Sequence, residues 1–174
     1  NLPDILRLCA TNKRINSLVG ERDDIWYAKL KIDFTNDPNY QMLKPNPKDN
    51  YRLLYELTIL KRKLNLENDI YELYKLRHLN LERNEIKELS KEIGNLTNLQ
   101  QLYLSYNKIK KLPKEIGNLI NLESLGLSNN QIKEIPKEIG NLSELRKLYL
   151  YNNNNQIKEI PKEIIDLPNL KIYL

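Results

Sequence analysis

Groups able to perform covalent or acid–base chemistry are sparse in this chain. His78 is its single histidine and Cys9 its single cysteine, and a nucleophilic pair would need the two within hydrogen-bond reach. They lie far apart in sequence. Cys9 also sits among Ile5, Leu6 and Leu8 on an apolar helical face, where a thiol is usually buried and inert. Glu82 and Glu123 could approach one another, but isolated surface carboxylates are normally solvated. No cysteine–histidine cluster with zinc spacing, no phosphate-cradling loop and no glycine-rich dinucleotide turn occurs. The expectation is a protein that is not an enzyme, with no cofactor and no bound metal. What the chain does repeat is the chemistry of recognition. Arg77, His78, Gln101, Tyr103, Tyr106, Ser124, Gly126, Lys147, Tyr149 and Tyr151 fall on the variable positions of a unit that recurs every 23 residues. Tyrosines edged by arginine and lysine are frequent in recognition surfaces. Gly126 leaves a gap between Tyr103 and Tyr149 that a partner side chain would fill.

The elements that must position these residues are written four times. Leu76-Arg-His-Leu-Asn-Leu-Glu-Arg-Asn84 opens one unit, Leu99-Gln-Gln-Leu-Tyr-Leu-Ser-Tyr-Asn107 the next and Leu122-Glu-Ser-Leu-Gly-Leu-Ser-Asn-Asn130 the third. Leu145-Arg-Lys-Leu-Tyr-Leu-Tyr151 begins a fourth. Leu-x-Leu is a period of two, so Leu79 and Leu81, Leu102 and Leu104, Leu125 and Leu127, and Leu148 and Leu150 point to one face of short strands. Ile109, Leu112, Ile116 and Leu119 return the chain to the same core. Pro113, Pro136 and Pro161 suit the first position of a short helical turn, with Ser90 there in the first unit. The Asn at the ninth position can bond backbone in adjacent turns and form a ladder. Asn84, Asn107 and Asn130 fill it. In the fourth unit, where Tyr151-Asn-Asn-Asn-Asn155 adds two residues and reads as a local bulge, either Asn153 or Asn155 does.

The pattern L-x-x-L-x-L-x-x-N, with second halves reading LPKEIGNL, resembles the 23-residue class of leucine-rich repeats. The resemblance implies an α/β fold: a right-handed solenoid with a parallel concave sheet, preceded by a small helical cap. One repeat cannot bury its own leucines, so at least about three copies must stack. The repeat domain is expected over 61–174, with a shortened unit at 61–75, units at 76–98, 99–121, 122–144 and 145–169, and a truncated fifth at 170–174. In that last piece Tyr173 takes the place of Leu79, Leu102, Leu125 and Leu148. The reading expects either a natural chain that continues past Leu174 or self-association through this open edge.

Residues before Tyr40 follow a helical spacing, with helices expected over 4–10, 12–19 and 23–30. Ile5-Leu-Arg-Leu-Cys-Ala-Thr-Asn-Lys-Arg-Ile-Asn-Ser-Leu18, followed by Asp24-Ile-Trp-Tyr-Ala-Lys-Leu30, resembles the latter part of an F-box. Ile15 stands where that family often has Trp and Asn12 where it often has Cys, and the opening L-P-x-E-I-L helix is absent. F-box-like segments joined to repeats are seen in eukaryotes and large DNA viruses. The resemblance implies docking of a Skp1-type ubiquitin-ligase adaptor by 1–34 through Leu6, Leu8, Ile15 and Trp26. The same residues would equally pack as a helical cap on the first repeat. Residues 35–60 read as a linker, rich in Asn, Asp and Pro through Asn50, and then an amphipathic helix carrying Tyr51, Leu53, Leu54, Leu57 and Leu60 into Lys61-Arg-Lys63.

The net charge of +5 is spread along the chain, and much of it is Lys-Glu pairing on the returning turns, as at Lys114-Glu115. That is the pattern of a solvated surface rather than a phosphate track. The basic excess keeps nucleic-acid binding, or a structural repeat without a dedicated partner, as alternatives to protein recognition. No apolar run reaches membrane-spanning length and no signal-peptide pattern is visible. With a single cysteine, these features give the expectation of an intracellular, cytoplasmic protein, in a host cell if viral, with no membrane partner. The function expected is non-catalytic protein recognition by the concave face, extended by the F-box resemblance to substrate recruitment for a ubiquitin ligase.

Overall fold

Each Leu-x-Leu becomes a three-residue strand. β1 (His78–Asn80), β2 (Gln101–Tyr103), β3 (Ser124–Gly126), β4 (Lys147–Tyr149) and β5 (Lys171–Tyr173) form one parallel sheet in sequence order. The computed structural model describes residues 47–153 and 157–174. The helices expected at 4–10, 12–19 and 23–30, with Leu6, Leu8, Ile15 and Trp26, lie outside the described residues, as do Asn154, Asn155 and Gln156. The chain divides into two units, Asn1–Glu56 and Leu57–Leu174; all five strands belong to the second.

The strand register matches the repeat. Leu79, Leu102, Leu125 and Leu148 are aligned, and Leu148 is opposite Ile172. The expected phase of the last strand is therefore corrected by one residue. Ile172, not Tyr173, takes the leucine position, and Tyr173 pairs with Tyr149. The insertion in the fourth unit stretches it without disturbing the pairing. The inward leucines of β2 to β4, and Leu104, Leu127, Ile109, Ile116 and Leu119, are fully buried. Each such side chain contributes roughly 1.5–3 kcal/mol by leaving water.

Turns of 3-10 helix return the chain at Lys91–Asn95, Lys114–Asn118 and Lys137–Asn141. A short α-helix does so in the last unit. Pro113, Pro136 and Pro161 occupy the capping residue before the first helical position, in extended conformation, rather than that position itself. Ser90 does the same in the first unit. Within each turn the glycine is dictated by the next turn. A Cβ on Gly94 would lie 2.5 Å from the Glu115 carbonyl oxygen, and one on Gly117 2.4 Å from that of Glu138. No side chain fits at such a backbone approach.

Two helices precede the sheet: α1 (Pro47–Leu64) and α2 (Ile70–Lys75). α1 begins at Pro47, so residues 47–50, read as linker, are helical, with proline tolerated where no intrahelical N–H is needed. Its last turn carries Lys61, Arg62 and Lys63, which suit the negative end of the helix dipole. Asn65 adopts a left-handed φ of 49° and the Leu66 N–H donates to the Lys61 carbonyl at 3.0 Å, a helix stop of the Schellman type. Leu64 and Leu66, within the shortened unit expected at 61–75, thus serve to end α1. From the basic triplet, Lys63 Nζ donates to Ser90 Oγ at 3.0 Å and to Glu92 Oε2 at 3.4 Å. α2 follows Asp69, whose carboxylate accepts from the Glu72 N–H at 2.7 Å, an N-cap.

The asparagine ladder is built by Asn107, Asn130 and Asn153. Asn107 Nδ2 donates to the carbonyls of Leu81 and Leu104 at 2.8 and 2.9 Å. Its Oδ1 accepts from the backbone N–H groups of Asn84 and Ile86 at 3.1 and 2.9 Å. Asn130 bridges Leu104 and Leu127 in the same way, and Asn153 bridges Leu127 and Leu150. Asn153 therefore fills the place left open between it and Asn155. Asn84 does not belong to the ladder: it is exposed, and its amide donates to Glu82 within its own turn at 2.9 Å.

Two outcomes follow from these contacts. Asn107→Ala should destabilise the protein by on the order of 3 kcal/mol, since buried carbonyl and N–H groups lose their partners. Asn84→Ala should cost little, and chemical unfolding of both variants compares them. Glu92 supplies a pH dependence. Burial pushes its carboxyl up, but the Ser90 hydroxyl, its own backbone N–H and Lys63 together hold it below its ordinary value of 4.5. A carboxyl lowered in the folded state stabilises above the unfolded value, and that contribution fades as pH falls through the folded one. The stability gap between wild type and Glu92→Gln should be full at neutral pH and shrink below about pH 4.5. A gap independent of pH would remove the carboxylate from the account.

Candidate functional site

Strand alternation that buries the leucines turns the intervening residues to the opposite face of the sheet. Parallel register stacks them into rows. His78, Gln101, Ser124, Lys147 and Lys171 form the first row, and Asn80, Tyr103, Gly126, Tyr149 and Tyr173 the second. Beyond the strands stand Glu82, Ser105, Ser128 and Tyr151, then Arg83, Tyr106, Asn129 and Asn152. Neighbouring strands lie about 4.8 Å apart, so each row is a near-continuous line.

The ten residues singled out from the sequence are distributed unevenly on this face. Arg77, His78, Lys147, Tyr106 and Tyr151 are exposed, whereas Gln101, Tyr103 and Tyr149 are half-buried. Ser124 and Gly126 are buried and form its floor rather than reaching outward. The expected gap over Gly126 is occupied from one side. Tyr103 Cδ1 lies 3.0 Å from where a Cβ would be, and Ser105 Oγ 3.3 Å. Tyr103 leans across the glycine and donates its hydroxyl to Gln101 Oε1 at 3.1 Å. Glu82 follows β1 while Glu123 precedes β3 two turns away, so the approach considered for these carboxylates does not arise from the fold.

Two associations on the face were not anticipated. Tyr149 and Tyr173 stack with ring centroids 4.6 Å apart and planes 14° from parallel. Beside them, exposed Lys147 and Lys171 are in register. The signal for this was the 24-residue step from Leu148 to Ile172, which the repeated asparagines obscured. At the other end Arg83 places its guanidinium 4.7 Å from the centre of the Tyr106 ring, a cation–π contact. Both residues have left-handed backbone, φ 58° and 59°, a conformation uncommon for bulky side chains. Asn129 and Asn152 hold the same place in later units, and Asn tolerates it. Two further asparagines also went unread. Asn98 Nδ2 donates to the Tyr74 carbonyl at 2.9 Å and Asn121 Nδ2 to that of Thr97 at 2.8 Å. They tie units 76–98 and 99–121 to their predecessors and were visible as Asn-Leu before β2 and β3.

Among the described residues no group of three or more His, Cys, Asp and Glu is placed to hold a metal ion. Among the same residues no helix is long and apolar enough to cross a membrane.

A family model for a leucine-rich repeat region matches residues 39–125, and one for a leucine rich repeat matches 97–154. Among solved structures, the chain is 34% identical to the Leptospira interrogans LRR protein LIC12759, over 65% of this chain and 33% of that one, with a TM-score of 0.42. It is 30% identical to an internalin, inlF, from Listeria monocytogenes over 60% of this chain and 29% of that one, at a TM-score of 0.50. It is 24% identical to internalin C2 from the same organism over 62% and 56% of the two chains, at 0.48. The chain thus spans about a third of the length of the first two of these relatives. Comparison with curated proteins gave no match. With the repeat register, the asparagine ladder and a family model covering half its length, the chain belongs to the leucine-rich repeat family.

Proposed function

We propose that the chain is a non-catalytic protein-recognition module that holds its partner on the concave sheet face. Leucine-rich repeats commonly mediate protein–protein interaction. The observation that carries the reading here is the stacked Tyr149–Tyr173 pair set beside exposed Lys147 and Lys171. Stacked rings give up little rotamer freedom on binding, so their contact area converts to affinity at low entropic cost. The lysines favour a partner segment that carries carboxylates. Arg146 joins them just before β4, while Glu123 lies one unit earlier.

A pull-down followed by titration of the captured protein tests this. The Tyr103→Ala/Tyr149→Ala double variant should weaken binding by at least about tenfold, the loss expected for truncated aromatic anchors. Lys114→Ala, on a returning turn, should leave it unchanged. Equal retention by both variants would place the partner elsewhere. A salt-dependent shift with duplex or single-stranded nucleic acid, abolished by Lys147→Ala/Lys171→Ala, would instead favour the nucleic-acid alternative.

The F-box-like segment extends the proposal. It would dock a Skp1-type adaptor through Leu6, Leu8, Ile15 and Trp26, and the concave face would select the protein to be modified. Purified Skp1 should then bind the full chain and lose affinity with Trp26→Ala. Absence of binding to the folded wild type would leave the segment with the capping role alone.

A further inference from the structure

Repetition supplies an internal standard against which one unit stands out. On the returning side, the first unit places Glu85, Lys87 and Glu88, and the third Gln131, Lys133 and Glu134. The fourth again has Lys158-Glu159. The second unit has Lys108, Lys110 and Lys111 at these places, so a balanced position has become uniformly basic in one copy only. This is where the surface opens a cleft of about 620 Å³, lined by all three lysines and Lys87 and by a single carboxylate, Glu88. Its floor is apolar, from Leu89 and Leu112, both buried.

The lysines are held close together by the backbone. The Lys108 N–H donates to the Ile86 carbonyl at 2.9 Å and the Gln131 N–H to that of Ile109 at 2.9 Å. Successive turns are therefore bonded to one another here, about 5 Å apart. Lys108 Nζ reaches Glu85 Oε1 at 3.1 Å, but both side chains are largely in water, where such a pair is weak and exchangeable. Among the described residues Lys87, Lys110 and Lys111 make no ion pair, although Glu88 and Glu134 flank Lys111 in the neighbouring turns. Like charges gathered at this density repel one another, and a dense anion placed among them removes the penalty.

We propose that this cleft binds a ligand carrying two or more closely spaced phosphate groups. The lysines act on the phosphates as point charges, above a floor closed by buried Leu89 and Leu112. The volume lies in the range of small-molecule sites. The site is separate from the concave face and does not depend on the role proposed for it. A free polyphosphate and an inositol-phosphate lipid headgroup share this chemistry.

The test is calorimetric titration of the full chain with sodium pyrophosphate and with inositol hexakisphosphate. In a parallel arm it is flotation with phosphatidylcholine vesicles, with and without phosphatidylinositol bisphosphate. Lys108→Gln/Lys111→Glu gives the second unit the residues that the third already carries, so folding should be preserved, which its unfolding curve verifies. Lys133→Gln/Lys137→Glu changes net charge by the same amount outside the cleft. Saturable binding by wild type, weakened about tenfold or more by the first variant and little by the second, supports the site. Loss confined to the titration marks a soluble ligand, and loss confined to flotation a lipid headgroup. Equal weakening by both variants, or no saturable binding by wild type in either arm, overturns it.

Discussion

The solenoid depends on how it satisfies the backbone where each three-residue strand stops. At that point carbonyls and N–H groups turn into an apolar interior, and an unpaired group there costs about 1–3 kcal/mol. Asn107, Asn130 and Asn153 meet the need with one side chain per turn. Each donates both to its own turn and to the turn before. An aspartate could accept but not donate, and a leucine could do neither. The amide is therefore what fixes the distance between turns, and the leucine core, the lysine cleft and the rows of the recognition face inherit that spacing.

The ladder also explains which irregularities the fold accepts. Asn153 keeps its two carbonyl contacts, so the residues inserted after it displace neither Leu150 nor the pairing of β4 with β5. The first turn shows the opposite case. Asn84 has no preceding strand to reach, and its amide turns back to Glu82. Tightness on the returning side comes from Gly94, Gly117 and Gly140, each with the next turn's glutamate carbonyl where a Cβ would be. Polar bridging on one side and bare backbone contact on the other leave the leucines a gap of constant width.

The strands and their inward faces were legible because Leu-x-Leu has only one reading at a period of two, and Asn107 and Asn130 because an amide in an apolar context needs a backbone partner; Asn84 was not, since an exposed first turn imposes no such need. The phase of Ile172 was not, since an insertion changes the count without changing the pairing. Gly117 gave no local signal, because its requirement arises from a residue 21 positions later, Glu138. On the candidate face, the row positions followed from the spacing, but which side chains stand up did not. Gly126 sinks because Tyr103 leans over it, and Tyr149 stands against Tyr173 because the register brings them together. Averaging the charge concealed a local difference: Lys-Glu pairs dominate the returning turns, and that balance hid the one unit in which Lys108 and Lys111 stand where the others carry no lysine.

Such a division of labour lets surface chemistry vary without disturbing the core. A residue that points outward contacts its counterparts 23 positions away and little else, so Lys111 can replace a glutamate and Tyr106 an asparagine with only local consequences. Tyr106 and Arg83 show where this freedom is limited. Their left-handed backbone is imposed by the turn leaving the strand, and residues of that size in that region are unfavourable by roughly 1–2 kcal/mol. Asn129 shows that the third unit uses a residue for which the same geometry is nearly free. The Arg83–Tyr106 contact offsets part of the strain in the first two units but cannot be its origin, since either residue could be replaced by Asn without losing the ladder. Strained, exposed and paired with each other, these two side chains are better explained by what they present outward than by anything they contribute to folding.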